Sequence, residues 1–405
     1  MARIQQLAGS VWRRLPQGLR QRAAHAVIGR LAPAIAPRSA LSADRGMPRI
    51  VVGLLSSPSG LGQSARLAAK ALSGEGYQVS GIDLSAYFYE TAGGMVHGLA
   101  DGRGHRGPAH VIVVINAPYL PYALWLLGRD FVRDKHVTGY WAWELEELAP
   151  NWKRGFAAVH DVAAPSRFVA DAVALTDASK RVRVARYPAA LDAPPPSPLL
   201  AGASRPDQPF TVIGIMSVAS GFARKNPVGL IHAFKRAFAE RADARLRMLV
   251  TGVDHHPPAR GLIEAARAGA GNIEISWSPL SRAALYAWWG TPDLVASLHR
   301  SEGFGLPIAE AMLAGYPAMA TGWSGNLDFM DSSNSYLVDH TLVPVTDAQG
   351  KYARGRWAEP DLEHAASLMA HIAANPEEAR AIGVAAARSA ADKLSGRNFC
   401  TQLLG

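Results

Sequence analysis

Residues 298–326 read LHRSEGFGLPIAEAMLAGYPAMATGWSGN, and this stretch decides the fold. It follows a short apolar run, residues 294–297, which predicts a β-strand. A glycine-rich turn comes next, and Pro307 then favours the start of a helix over residues 307–313. A second apolar run, residues 318–320, predicts the next strand. A strand, a glycine-rich loop and a helix in this order are typical of an α/β domain with a ligand at the strand ends.

Two glutamates flank this glycine-rich turn. Glu302 precedes it, and Glu310 follows with seven residues between them. We expect Glu310 on the first turn of the helix, pointing back toward its N-terminus. The free backbone amides of Gly303, Phe304, Gly305 and Leu306 would then face a pocket shared by both carboxylates. Carboxylates accept hydrogen bonds from sugar or ribose hydroxyls, and amides at a helix N-terminus bind phosphate oxygens.

Apolar, β-branched runs alternate with helical patterns on both sides of this stretch, which indicates parallel, doubly wound sheets. Residues 191–209 are rich in Pro, Ala and Ser, as is typical of an interdomain linker. We therefore predict an α/β protein with two Rossmann-like domains facing a cleft. The predicted segments are a basic arm (1–49), a first domain with the linker (50–205), a second domain (206–385) and a C-terminal helix that packs back on the first domain (386–405). The other predicted strands are 50–55, 79–83, 111–115, 136–140, 162–164, 182–185, 211–216, 246–250 and 273–276, and the other predicted helices are 63–72, 168–175, 228–238 and 281–288.

A second glycine cluster opens the first predicted domain. Gly60, Gly62 and Ala65 fit the pattern G-x-G-x-x-A, and Asp83 ends the next strand about twenty residues later. Small residues let backbone amides approach a phosphate, so Gly60, Gly62 and Gln63 are candidate ligand contacts. A nicotinamide cofactor and a plain structural turn are the alternatives.

A third cluster, residues 217–227, follows the strand at 211–216. Arg224 and Lys225 are adjacent there, just before Pro227, which suits the first turn of a helix. A guanidinium and an ammonium at a strand–helix junction can neutralise a diphosphate. The alternative is a pair of solvated surface cations.

With these clusters together, the sequence resembles the group 1, or GT4-type, retaining glycosyltransferases of the GT-B fold. The resemblance covers residues 50–395 and is strongest at 293–329. Further matches are WAWE at 141–144, APSRF at 164–168 and NPE at 375–377. The resemblance implies transfer of a sugar from a nucleoside-diphosphate sugar to a hydroxyl acceptor with retention, without a metal or cofactor. It also implies a place in polysaccharide, lipopolysaccharide or glycolipid assembly.

The resemblance also implies roles for the residues that match. Arg224 and Lys225 would bind the diphosphate, Glu302 the donor-sugar hydroxyls and Glu310 the ribose hydroxyls. The amides of Gly303 to Leu306 would line the sugar and phosphate pocket. The loop at Gly60 and Gly62 would face the diphosphate or the acceptor. The remaining donor-side candidates are Ser217, Trp277 and Leu280, the last two in the region of the nucleobase pocket.

One departure from the family concerns the strand end at residues 140–144. Many members carry a histidine over the donor sugar, whereas this chain reads YWAWE. Glu144 or Trp143 would then contact the sugar or the acceptor. A packed aromatic strand end is the alternative.

The charge is concentrated in the N-terminal arm. The 405 residues carry a formal net charge of +9, and residues 1–49 contribute nine arginines and one acid. The remaining residues hold 33 basic and 32 acidic side chains, so the body is nearly neutral and a nucleic-acid partner is not expected. Ile4, Leu7, Val11 and Trp12 recur at helical spacing, which suits an anionic membrane surface contacted through residues 1–45. A solvated arm, a helix packed on the body and an organelle transit peptide are the alternatives.

Absent motifs exclude other chemistries. Cys400 is the only cysteine, so a disulfide framework and a multi-cysteine metal site are excluded. No D-x-D, P-loop or G-x-S-x-G occurs, and the histidines lack zinc-site spacing, so no metal is expected. Residues 107–128 carry no charged side chain but contain Asn116, Pro118 and Pro121, which favours a strand, a loop and a short helix over a membrane span. The sequence therefore predicts a cytoplasmic glycosyltransferase, peripheral on the inner membrane face through the arm. A Rossmann oxidoreductase and a non-catalytic GT-B scaffold are the alternatives.

Overall fold

The computed structural model describes residues 32, 33, 35, 44–88, 98–201 and 208–405. Nearly all of the predicted basic arm lies outside these described residues. Within them the chain forms two parallel six-stranded sheets covered by helices, and a separate two-stranded sheet. The prediction of a two-domain, doubly wound α/β protein is confirmed.

The first sheet belongs to the N-terminal half of the chain. Its strands are β1 Arg49–Gly53, β2 Val79–Asp83, β3 Ala109–Val114, β4 Lys135–Tyr140, β5 Asp161–Ala164 and β6 Val182–Val184, in the sheet order β2-β1-β3-β4-β5-β6. Every residue of β1 and β3 is buried, as expected of parallel strands that helices cover on both faces. The helices of this domain are α1 Gly60–Gly74, α2 Leu120–Leu127, α3 Arg129–Val132, α4 Lys153–Phe156 and α5 Arg167–Thr176.

The second sheet belongs to the C-terminal half. Its strands are β7 Phe210–Ser217, β8 Ala244–Thr251, β9 Ile273–Ser276, β10 Leu294–Ser297, β11 Ala318–Thr321 and β12 Tyr336–Val338, in the order β12-β11-β10-β7-β8-β9. An antiparallel hairpin, β13 His340–Pro344 and β14 Arg356–Pro360, follows it. The helices are α6 Phe222–Lys225, α7 Pro227–Phe238, α8 Pro258–Arg267, α9 Arg282–Trp289, α10 Leu306–Ala314, α11 Leu362–Ala374, α12 Pro376–Lys393 and α13 Gly396–Leu404.

Short 3₁₀ helices connect many of these elements. They are Ser85–Phe88, Ala117–Tyr119, Pro150–Trp152, Ala189–Asp192, Pro198–Ala201, Val218–Ser220, Val253–His255 and Gly325–Asp328. Two of them, Ala189–Asp192 and Pro198–Ala201, lie at least partly in the predicted linker at 191–209, so the linker contains ordered turns ahead of residue 202.

Each strand predicted from the sequence corresponds to an observed strand whose ends differ by at most two residues, and the predicted helices 63–72, 168–175, 228–238, 281–288 and 307–313 each correspond to a helix. The single C-terminal helix predicted at 386–405 is instead the end of α12, which stops at Lys393, and the separate helix α13. The stretch 107–128 forms β3, a 3₁₀ turn and α2, so the interpretation as a strand, a loop and a short helix is confirmed. Across the described residues, no helix is both long and apolar enough to cross a bilayer. The strands β12, β13 and β14 were not predicted.

One hydrophobic cluster spans both domains, in addition to the core that each domain has of its own. Phe304, Ile308 and Met312 of the second domain pack in the same buried cluster as Tyr140 and Tyr187 of the first. The last helix, α13, packs on α1 of the first domain, and α12 runs unbroken to Lys393 before Ser395 begins α13. The carboxyl ends of the two sheets therefore face each other across a narrow interface, where the candidate site lies.

Candidate active site

The centre of the site is a buried cluster of two cations and a carboxylate from the second domain. Lys225 Nζ donates a hydrogen bond to Glu302 Oε1, and Arg224 Nη1 lies 3.2 Å from Glu302 Oε2. Burial alone would raise the pKa of Glu302, but Lys225 and Arg224 outweigh it and lower the pKa to about 2. Glu302 is therefore a carboxylate at every physiological pH. The structure brings together three residues that the sequence singled out from two separate clusters.

The two cations differ in how firmly hydrogen bonds hold their side chains in place. Arg224 is 2 % exposed, its Nε and Nη2 donate to Ser220 O, and its Nη1 donates to Ser301 O at 2.8 Å. Burial lowers the pKa of Lys225, although Glu302 opposes that effect. Because Arg224 is anchored to backbone carbonyls, Lys225 is the cation better able to change partner when a ligand enters.

The main chain fixes this cluster because a short helix carries it. Asn226 follows α6 with φ 50°, and its side chain caps α7 by accepting from Gly229 N and donates to Leu298 O. Pro227 starts α7, as predicted, because a proline in the first turn loses no helical hydrogen bond. The loop after β10 is tied to α6, since Arg300 N donates to Arg224 O at 2.7 Å.

The glycine-rich loop 303–306 contributes to the site mainly through its backbone atoms. Phe304 is buried with its ring centroid 5.0 Å from those of Tyr187 and Phe329. A Cβ on Gly303 would lie 2.7 Å from Trp143 O, so only glycine permits this approach of the two domains. Gly303 O accepts a hydrogen bond from Ser166 Oγ at 2.7 Å. Gly305 has φ 95°, which favours glycine and lets the loop turn into α10.

Glu310 lies in a different network from Glu302. The expectation that it sits on the first helical turn is wrong, because α10 begins at Leu306 and Glu310 is on its second turn. It accepts from Arg282 Nη2 at 2.6 Å, and the same Nη2 donates to Asp192 O at 2.9 Å. Burial raises the pKa of Glu310 to about 7, even though Arg282 opposes the shift. Gln63 Nε2 completes this hydrogen-bond network by donating to Asp192 Oδ2 at 2.8 Å. The network of Gln63, Asp192, Arg282 and Glu310 therefore joins the two domains.

The glycine loop of the first domain is shaped by close backbone packing. A Cβ on Gly62 would lie 2.3 Å from Ser57 O, whereas one on Gly60 would meet nothing within 4 Å. Gly62 is thus required by the turn, and Gly60 leaves open space at the N-terminus of α1. The Asp83 carboxylate accepts from Ser56 Oγ and Ser85 Oγ. This engagement within the loop argues against the dinucleotide-binding interpretation.

Glu144 extends from the first domain to the cationic cluster. Its Oε2 accepts from Tyr352 Oη at 3.0 Å, and its Oε1 lies 3.9 Å from Arg224 Nη2. Trp143 packs between Trp152 and Tyr352, with ring centroids 5.1 Å and 5.6 Å away. Each of the two alternatives for this strand end therefore holds for one residue. Trp143 is packed among aromatic rings, and Glu144 faces the site.

The loop of the β13–β14 hairpin contributes contacts that sequence reasoning missed. Gln349 Oε1 accepts from Phe222 N at 2.5 Å, and its Nε2 donates to Val218 O at 3.2 Å. Lys351 Nζ donates to Ala219 O, beside Tyr352. This loop therefore covers the end of β7. An available signal was the pair of short runs around the turn residues at 347–350, but each strand has only five residues, and β13 is mostly exposed and carries little apolar pattern.

The remaining donor-side candidates line the ends of β7 and β9. Ser217 is the last residue of β7. The Arg260 guanidinium lies 4.5 Å from the centroid of the Trp277 ring, and Leu280 is 37 % exposed in the loop before α9. Among the described residues, no group of three or more His, Cys, Asp or Glu side chains could hold a metal ion.

A protein-family model described as "Family 4 Glycosyltransferase in conflict systems" matches residues 175–397, more than half of the chain. The chain belongs to this glycosyltransferase family. The matched region contains Arg224, Lys225, Glu302 and Glu310. None of the curated proteins matches the sequence significantly.

Solved structures show the same GT-B fold at low sequence identity. A glycosyltransferase from Rickettsia africae aligns with a TM-score of 0.59 and 13% identity, over 90% of this chain and 97% of that one. Anabaena HepE, in complex with UDP and glucose, aligns with a TM-score of 0.59 and 12% identity, over 88% and 98%. Sucrose-phosphate synthase from Thermosynechococcus elongatus aligns with a TM-score of 0.57 and 13% identity, over 88% and 97%. This glycosyltransferase therefore has the predicted GT-B architecture.

Proposed function

We propose that this glycosyltransferase transfers a sugar from a UDP-sugar to a hydroxyl acceptor, with retention at the anomeric carbon and without a metal. The observation that carries the proposal is the cluster of Lys225, Arg224 and Glu302 at the strand ends between the domains. A diphosphate needs cations and a sugar needs hydrogen-bond acceptors, and this cluster offers both side by side. The bound UDP and glucose in the structure of Anabaena HepE support the choice of donor class.

In the proposed reaction, the bond between the anomeric carbon and the diphosphate oxygen breaks while the acceptor oxygen bonds to the same face. The acceptor proton passes to the departing diphosphate oxygen, so no protein nucleophile is needed. Lys225 would leave Glu302 and neutralise the diphosphate. Arg224 would stay in position and keep a fixed positive charge beside the reacting atoms. Glu302, freed of one cation, would accept hydrogen bonds from the donor-sugar hydroxyls.

The other residues have supporting roles in this proposal. Glu310 would exchange Arg282 for the ribose hydroxyls, and the amides of residues 303–306 would hold phosphate or sugar oxygens. Glu144 would orient the sugar or the acceptor beside Arg224. The direct contacts between domains, among them Ser166 to Gly303, would exclude water and limit hydrolysis of the donor.

We further propose that the acceptor belongs to polysaccharide, lipopolysaccharide or glycolipid assembly, and that the basic arm holds the enzyme at the inner face of an anionic membrane. The body is nearly neutral and the arm is rich in arginine, which supports membrane contact through the arm and transfer by the body.

The donor assignment is tested with the full chain and a panel of UDP-, GDP- and dTDP-sugars and NADH. We expect UDP-sugars to raise the melting temperature most and to be turned over with release of UDP, equally with and without EDTA. Stabilisation by NADH alone would instead support the oxidoreductase alternative. If a UDP-sugar stabilised the protein but UDP were released with none of the acceptors, the result would support a non-catalytic scaffold.

A further inference from the structure

The loop of the β13–β14 hairpin brings a third cation to the edge of the cationic cluster. Lys351 Nζ donates a hydrogen bond to Ala219 O. Arg224 Nε and Nη2 donate to Ser220 O, the next carbonyl of the same 3₁₀ turn. This turn directly follows β7. Two positively charged side chains from separate parts of the chain therefore meet at one turn, at the ligand-binding edge of the sheet.

The backbone of the hairpin loop holds Lys351 in this position. Asp347 Oδ2 accepts from Lys351 N at 2.7 Å and from Tyr352 N at 3.1 Å. The Tyr352 hydroxyl donates to Glu144, whose Oε1 lies 3.9 Å from Arg224 Nη2. Because Lys351 and Tyr352 are consecutive, the same short segment contacts the turn after β7 and a carboxylate of the first domain.

The ammonium group of Lys351 lies in the field of a like charge. Its side chain forms no ion pair with a carboxylate of the described residues, and its hydrogen bond goes to a neutral carbonyl. Although the residue as a whole is exposed, burial around its ammonium group lowers its pKa, and the charge of Arg224 lowers it further. Asp347 and Glu144 act in the opposite direction without cancelling these effects. An anion next to both cations would relieve this repulsion.

The cluster as a whole has more cations than carboxylates. Its three cations are Arg224, Lys225 and Lys351, and its two carboxylates are Glu302 and Glu144. Solvent reaches the cluster at the turn after β7, since Ser220 and Lys351 are exposed. An anion can therefore approach from the side where Lys351 lies, and the excess positive charge attracts it.

Anchoring of the loop does not by itself account for Lys351. Gln349 already fixes the loop, because its Oε1 accepts from Phe222 N at 2.5 Å and its Nε2 donates to Val218 O at 3.2 Å. This anchor is neutral, so a contact that only held the loop would not require a charge. An ammonium group is a compact charge with three donors, which suits phosphate oxygens.

We infer that Lys351 is a third cation for the diphosphate of the donor, which it contacts from the hairpin loop while Lys225 contacts it from α6. The inference rests on the proposed function, because the diphosphate is that of the proposed donor. Lys351 exchanges Ala219 O for a phosphate oxygen when the donor binds. The hairpin loop thus takes part in donor binding, in addition to covering the end of β7.

The test measures binding of pyrophosphate, UDP and uridine to the full chain by calorimetry. We expect Lys351→Gln, which removes the charge but keeps a hydrogen-bond donor, to weaken pyrophosphate and UDP binding about tenfold or more, as loss of a hydrogen bond to a charged group does. Uridine affinity and the melting temperature should not change, and Lys351→Arg should restore most of the UDP affinity. The matched control is Arg354→Gln, which removes the same charge from an exposed side chain of the same loop and should bind all three ligands as wild type does.

The inference is overturned if Lys351→Gln binds pyrophosphate and UDP as wild type does, if it loses uridine affinity to the same extent, or if Arg354→Gln weakens binding equally. UDP binding that is tight but independent of Lys351 would leave the proposed function intact. Pyrophosphate binding that depends on Lys351, without UDP binding by the wild type, would support the third cation and contradict the UDP donor. Binding of neither ligand by the wild type would contradict both.

Discussion

Glu302 stays charged although it is buried. It is 7% exposed, yet its pKa is lowered to about 2 because Lys225 and Arg224 outweigh the cost of burial. We expect Glu302→Gln and Lys225→Ala each to lower kcat for transfer about a hundredfold or more, the order of loss when one preorganised charge is removed. The measurement is UDP release with circular dichroism to confirm that each variant is folded.

Matched controls for these two changes lie on the surface of the same domain. Glu363→Gln and Lys393→Ala remove the same charges from side chains that are 78% and 36% exposed. They should keep wild-type turnover. If either site variant turned over donor like its control while folded, the role proposed for that residue would be wrong.

The raised pKa of Glu310 predicts how the stability of the protein and its affinity for UDP change with pH. Its pKa in the folded chain is raised from the ordinary 4.5 to about 7, mainly by burial, so the folded state binds more protons than the unfolded state between those values. The free energy of unfolding therefore falls as pH rises from about 4.5 to 7, and this loss is complete above pH 7. Ribose hydroxyls need the carboxylate as acceptor, so UDP affinity should instead rise through about pH 7.

The control for this prediction is Glu310→Gln, which cannot titrate. The difference in melting temperature between wild type and Glu310→Gln should shift in favour of the variant as pH rises from 5.5 to 8. UDP affinity of the variant should show no step near pH 7. Equal pH profiles for the two proteins, in both measurements, would contradict the assignment.

At the scale of elements, the turn from β1 into α1 offers a pair of glycines with opposite constraints. An added Cβ at Gly62 would lie 2.3 Å from Ser57 O and 2.6 Å from Leu54 O, and main-chain atoms there cannot move cheaply. Gly62→Ala should lower the free energy of unfolding by about 2 kcal/mol or more, as overpacking does. Gly60→Ala has open space and should leave the melting temperature unchanged, while raising KM if a substrate approaches that amide. Equal melting temperatures for the two variants would show that the turn adjusts.

The β13–β14 hairpin contacts the first domain through the Tyr352 hydroxyl group as well as through its ring. Tyr352→Phe keeps the ring contacts with Trp143 and Trp357 but removes the hydrogen bond to Glu144. We expect transfer to fall about ten- to a hundredfold, because one hydrogen bond to a charged group contributes about 1.5–3 kcal/mol. Tyr336→Phe is the control, because the buried Tyr336 hydroxyl has no hydrogen-bond partner within the described part of the chain. If both variants retained full activity, Tyr352 would have no role in positioning Glu144.

The sequence predicts local elements well and long-range partners poorly. Strands such as β2, β9 and β10 follow directly from short apolar runs, and Pro227 and Gly305 mark helix starts by backbone chemistry alone. By contrast, nothing near Glu310 in the sequence indicates that Arg282 and Asp192 are its partners, because those contacts depend on how the domains meet. The hairpin was missed for a related reason: β13 is mostly exposed, so burial leaves no pattern in it, and the buried residues of β14 do not alternate with exposed ones.

At the scale of the whole molecule, most of the net charge of the chain lies ahead of the first sheet. Residues 1–31 hold six arginines, namely Arg3, Arg13, Arg14, Arg20, Arg22 and Arg30. Pro33 is buried and Ile35 packs against the core of the first domain, so a truncation that ends at residue 31 preserves these contacts. The variant lacking residues 1–31 should therefore fold and release UDP from a UDP-sugar at the wild-type rate.

The same truncation tests the proposed membrane contact. In flotation with phosphatidylglycerol vesicles at low salt, the full chain should bind and the truncated chain should not, because about 1 kcal/mol per arginine is lost near an anionic surface. A full-length variant with Arg3, Arg13 and Arg14 changed to Gln keeps the apolar residues Leu7, Val11 and Trp12, and it should bind more weakly than the full chain and depend less on salt, because half of the six arginines remain. If the truncated chain bound these vesicles as tightly as the full chain, the anchor would lie on the domains and the arm would have another role.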